Sequence, residues 1–144
     1  MRLIDIIHIY LSSFNPIESK VHLAVWNGKD EPLDVFLSGN FKSWQEIQTR
    51  KNFERKFIIS LINLPYTDKW IFGGIYESKG CKYNSEQKEY EYKTIPVKEV
   101  NELVGRLVVK YSRTSRQSYL YFEKLLNNCL IHEFKPPPIT TMQF

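Results

Sequence analysis

The sequence predicts an α+β domain: a curved, mostly antiparallel sheet or partial barrel with flanking helices. Three observations carry that expectation. Continuous β-branched and aromatic runs, Phe57–Ile62 and Lys69–Tyr76, have the length of buried strands. Helical spacing is confined to short stretches, chiefly Leu3, Ile6, Ile7, Tyr10 and Leu11 on one face at the N-terminus. Counted out, the elements are five or six strands with three helices, the mix of an α+β domain built on a curved antiparallel sheet. The 144 residues suit one core, and 21 aromatic rings supply the burial that offsets chain entropy.

Taken in order, the first helix ends at Asn15-Pro16, because proline pushes the preceding residue out of the helical region. Val21–Trp26 reads as a short strand closed by the Asn27-Gly28 turn. Residues 32–37 fit a short helix or strand, stopped by Ser38-Gly39-Asn40. Ser43 is placed to cap a helix through about Arg50, with Glu46 three residues on completing a capping box. Residues 79–89, rich in lysine and glutamate around Gly80 and Asn84, read as a solvated loop, and Tyr90–Ile95 alternates like a strand with one wet face. Gly105–Tyr111 is a further strand, Ser118 opens a helix to about Asn128, and Cys129–Phe134 reads as a closing strand. Residues 1–135 thus form a single domain, followed by a Pro-rich tail or linker over 136–144.

Composition narrows the function. A net charge of +4 and a pI near 9.0 suit an anionic partner only weakly. Cys81 and Cys129 lie 48 positions apart with no cluster of Cys and His around either, so no metal or other cofactor is expected and both read as free thiols of a cytoplasmic protein. The N-terminus is broken by Asp5 and His8, unlike a signal peptide, and no apolar stretch reaches the 18 residues of a membrane span. His8, His22 and His132 lack a nucleophile beside them and read as structural. Gly74-Ile75-Tyr76 spells half of the GIY-YIG nuclease signature, but residues 77–95 hold no YIG triplet, so no enzyme is expected.

Two basic segments carry the positive signal. Between Val104 and Phe122 stand Arg106, Lys110, Arg113 and Arg116 with no acid, interleaved with Ser115, Gln117 and tyrosines that offer phosphate donors and stacking faces. Between Phe41 and Phe57, Lys42, Arg50, Lys51, Arg55 and Lys56 face only Glu46 and Glu54. Of these, Arg50, Arg55 and Lys56 join Arg106, Lys110, Arg113, Ser115, Arg116 and Gln117 as expected backbone contacts. Trp26, Trp44, Trp70 and Tyr76 are the candidates for a pocket that stacks an extruded base, and Gly73-Gly74 would let a ligand or another backbone approach closely.

Trp44-Gln45-Glu46, Gln48, Arg50, Phe53 and Arg55, then Lys69–Tyr76, then Gly105–Tyr111 and Arg116-Gln117-Ser118-Tyr119, resemble the N-terminal domain of a group of bacterial GIY-YIG family nucleases over about residues 20–135. In that group the nuclease would begin near Pro136–Pro138, and its motif does not occur here. The predicted architecture also resembles the PUA-like group, with its SRA and EVE readers of modified bases. The resemblances imply a non-catalytic DNA-binding domain that recognises methylated or hydroxymethylated cytosine by base flipping and directs a restriction-type nuclease domain or subunit. A PUA-like RNA-binding module and a protein-interaction scaffold remain the alternatives.

Overall fold

The two apolar runs form the spine of one sheet. In the computed structural model, which describes residues 1–113, 119–121 and 129–134, β1 (Ser19–Ala24) lies parallel to β3 (Phe57–Asn63), and β3 runs antiparallel to β4 (Lys69–Asn84). β2 (Ile47–Gln48) and β5 (Glu89–Pro96) extend the sheet on one side and β7 (Tyr119–Tyr121) on the other, in the order β2-β5-β4-β3-β1-β7. β6 (Leu107–Lys110) pairs with the first part of β4, and β8 (Leu130–Phe134) pairs with β6. The β1–β3 pairing is parallel and the other pairings are antiparallel, so the domain is α+β with a mixed sheet curled into a half-barrel.

The curl originates in β4. Its pairing slips opposite Ser60/Leu61, where Gly73 and Gly74 lie, and again between Ser78 and Cys81, around Gly80. Gly74 and Gly80 have φ of 115° and 110°, values that L side chains rarely adopt, and such bulges bend a strand and increase its twist. The close approach expected at Gly73 is internal: a Cβ there would stand 2.8 Å from Ile62 Cδ1.

Each face of the sheet has its own cover. Val21, Leu23, Ile59, Leu61, Trp70 and Phe72 pack with α1 (Leu3–Tyr10) and the 3₁₀ segment Lys98–Leu103 into the larger core. On the other face Ala24, Ile62, Ile71 and Val108 meet Phe41, Phe36 and Trp44 from α2 (Pro32–Leu37) and α3 (Phe41–Glu46). β1 and β3 are therefore covered on both sides; β3 is a nearly uninterrupted apolar run, whereas β1 carries Lys20 and His22 among Val21, Leu23 and Ala24.

Several expectations need correction. The solvated loop predicted over 79–89 is largely strand: β4 continues to Asn84 and turns back into β5. Residues 79–83 are exposed, so the ladder to β5 supports them without leaving a hydrophobic pattern. Helix α3 ends at Glu46 rather than near Arg50, and Ser43 lies inside it, its hydroxyl donating to Asn40 O at 3.0 Å. Glu46 instead accepts from the Thr94 amide and hydroxyl, each at 2.8 Å, and pairs with Lys42 at 3.0 Å, stitching α3 to β5. Burial pushes its carboxyl up, but those contacts outweigh burial and hold it below the ordinary range. The helix expected from Ser118 is strand over Tyr119–Tyr121, where pairing with β1 overrides local preference; its continuation lies outside the described residues, as does the Pro-rich tail.

Candidate functional site

The curl of the sheet brings β2 and the end of α3 over β1, and between them opens a cleft of about 980 Å³. β1 and its extension supply Lys20, His22, Leu23, Val25 and Trp26. Trp44, Gln48, Arg50 and Asn52 line the side contributed by α3 and the segment after it. The Asn27–Asp30 turn forms the rim. Asn27 Oδ1 accepts from the amides of Lys29 at 2.9 Å and Asp30 at 2.7 Å, and Asp30 Oδ2 accepts from Trp44 Nε1 at 3.1 Å. One indole is thereby tied to the turn that immediately follows the other.

Beneath the cleft lies a buried polar cluster. Gln45 and Ser60 are fully buried, and His22 is 3% exposed. Gln45 Oε1 accepts from Ser60 Oγ at 2.5 Å and lies 2.6 Å from His22 Nδ1. The Gln45 Nε2 group is buried with no hydrogen-bond partner among the described residues. Burial lowers the imidazole to about 4, against the opposing effect of its bond to Gln45, so His22 is neutral near pH 7 and Nδ1 donates to Gln45. Trp44 lies nearly parallel to that ring, at 14° with centroids 6.1 Å apart, and Phe53 meets it edge-on at 5.6 Å. Gln48 Nε2 donates to Gln45 O at 2.6 Å, and Gln48 Oε1 accepts from Asn52 at 2.8 Å, which fixes the amides along the floor.

The structure separates the four aromatic candidates. Trp26, 65% exposed, and the half-buried Trp44 line the cleft. Trp70 is 2% exposed in the larger core, with Nε1 donating to Tyr111 O at 2.9 Å. Tyr76 is buried among Phe53, Ile58 and Tyr92, and its hydroxyl donates to Gly73 O at 2.9 Å. Burial, and secondarily Glu46, pushes that phenol up to about 12. Trp70 and Tyr76 therefore act in packing and do not line the cleft.

The basic candidates are also dispersed. Arg50 lines the cleft. Arg55 Nη1 donates to Ile17 O at 2.5 Å, and Lys56 Nζ lies 3.9 Å from Glu18, both at the β1 start, the opposite end from Trp26. Arg106 donates to Glu102 O at 2.9 Å. Lys110 lies 3.9 Å from Asp68, and Arg113 is exposed beyond β6. Ser115, Arg116 and Gln117 lie outside the described residues.

No local pattern in the sequence sets Lys20, Lys29, Asp30 and Asn52 apart, and His22 reads there only as structural. Gln45 and Gln48, three apart beside Trp44, were the available signal. Among the described residues, no group of three or more His, Cys, Asp or Glu side chains is placed to hold a metal, and no helix is long and apolar enough to cross a membrane. Comparison with protein-family models, curated proteins and solved structures finds no match for this chain.

Proposed function

We propose that this chain is a non-catalytic DNA-binding domain that receives an extruded, modified cytosine in the cleft beside Trp26 and Trp44 and directs a restriction-type nuclease to it. The observation that carries the reading is the convergence at one open cleft of an exposed indole, a second indole braced from behind, and the cations Lys20, Lys29 and Arg50. An extruded base needs a stacking face, and each stacked base returns about 1–3 kcal/mol against an unstacking cost of a few kcal/mol. Phosphates need cations at the rim, and those set register without reading sequence. The amides of Gln48 and Asn52 supply polar groups of the kind that read a base edge.

The test is binding of the full chain to matched unmodified, methylated and hydroxymethylated duplexes at two salt concentrations, with Trp26→Ala and Arg50→Ala beside it. The reading expects a preference for one modified duplex that Trp26→Ala abolishes, with nonspecific affinity retained. Arg50→Ala should weaken binding to every duplex and reduce the salt slope by about one. Tighter binding to structured RNA would replace this reading with an RNA-binding module. Absence of nucleic-acid binding at low salt would leave the scaffold.

A further inference from the structure

The turn between β3 and β4 displays a side chain that the domain does not use. Tyr66 is fully exposed, at 105%, with φ of 64°, a left-handed conformation uncommon for a large non-glycine residue. The turn holds this shape without help from the phenol. The Thr67 amide donates to Leu64 O at 3.1 Å and the Leu64 amide to Lys69 O at 2.9 Å; the Thr67 hydroxyl donates to Leu64 O at 2.7 Å and accepts from the Lys69 amide at 3.0 Å. An aromatic ring is thus carried outward on a braced turn.

Strand pairing places that ring at the same end of the sheet as the cleft's exposed indole. β1 and β3 are parallel with Ala24 opposite Ile62, so the chain leaves β1 toward Trp26 where β3 enters the turn toward Tyr66. Neighbouring strands lie about 4.8 Å apart, so the two exposed aromatics rise from adjacent strand ends. Cations flank Tyr66 as well. Lys69 stands opposite Lys110 across the β4–β6 ladder, and Arg113 is exposed just beyond. Asp68, 3.9 Å from Lys110 and 3.4 Å from the Ser112 hydroxyl, is the one acid in segments 64–70 and 110–113.

We propose that Tyr66 inserts into the base stack next to the nucleotide extruded into the cleft, with Lys69, Lys110 and Arg113 on the flanking phosphates. This inference rests on the reading of the cleft as a DNA site. Extrusion leaves a gap in the stack, and a side chain wedged between base steps lowers the cost of opening it. Aromatic stacking suits that task because every base presents a π-face. The left-handed backbone and full exposure fit a residue placed for a partner rather than for the domain's own core.

The test uses the full chain and a modified duplex carrying 5-iodouracil either beside the modified cytosine or several pairs away. Irradiation should cross-link Tyr66 only from the adjacent position. Tyr66→Ala and Tyr66→Asn should each weaken modified-duplex binding about tenfold, and Tyr66→Phe should retain it. Asparagine accepts the left-handed backbone, so Tyr66→Asn should melt no lower than the parent, which separates lost contact from lost fold. Unchanged affinity in both variants, with no cross-link, while the parent still prefers modified duplex, would overturn the wedge and leave the cleft reading standing. No duplex binding by the parent would overturn both.

Discussion

The two faces of the half-barrel are built to different rules. The α1 face is sealed by Leu3, Ile7, Leu23, Leu61, Trp70 and Phe72, and Ser19, buried in step with Val21 and Leu23 on β1, has its hydroxyl satisfied by donating to Pro16 O at 2.6 Å. The α3 face places His22, Gln45 and Ser60 in comparable burial and opens into a cleft beside them. Burying polar groups costs free energy unless every one is bonded, and Gln45 Nε2 has no partner among the described residues. The first face is organised for stability alone. The second carries polarity that stability does not require, and that contrast separates the site from the core.

The largest expected effect belongs to the sealed face. Trp70→Ala removes a fully packed indole and its bond to Tyr111 O, and should lower stability by about 3–5 kcal/mol in chemical denaturation. A loss below about 1 kcal/mol would mean that this face is less tightly packed than its burial implies.

The polar face should respond to pH where the sealed face does not. His22 titrates near 4 when folded and near 6.5 when unfolded, so between those values the unfolded chain holds a proton that the folded chain lacks. Its contribution to stability is complete above pH 6.5 and falls as pH drops toward 4, by about 3 kcal/mol in all. Melting temperature followed between about pH 7 and pH 5 should decline in the parent and decline less in His22→Gln. Identical slopes in the two proteins would show that His22 is not the titrating group.

The smallest stability effect is expected at the cleft's rim. Trp26 is 65% exposed, and Trp26→Ala should change unfolding free energy by no more than about 0.5 kcal/mol. Set beside Trp70→Ala, this gives two removals of the same side chain with opposite outcomes. Equal losses at both positions would erase the distinction between site and core.

Much of the fold was legible in the sequence because local patterning dictates it. The apolar run Phe57–Ile62 became β3, Gly105–Tyr111 contained β6, and the i, i+3, i+4 spacing near the N-terminus became α1. The second half of β4 was not legible: its strand state depends on the ladder to β5, and backbone hydrogen bonds leave no mark on side-chain periodicity. Tyr119–Tyr121 followed the same logic, joining β1 where the local pattern favoured a helix.

The sequence by itself determined the α+β class and the curved sheet, because its strand-length apolar runs stand beside short stretches of helical spacing. Which tryptophan faces water was decided only in three dimensions. Trp26, Trp44 and Trp70 are chemically identical, yet one is 65% exposed, one is half-buried and one is 2% exposed. The bulges at Gly73-Gly74 and Gly80 set the curl, the curl sets where β2 and α3 meet β1, and that meeting leaves Trp26 and Trp44 at an open cleft while Trp70 is sealed beneath α1. Burial depends on what lies across the sheet, and no stretch of local sequence specifies its distant neighbour.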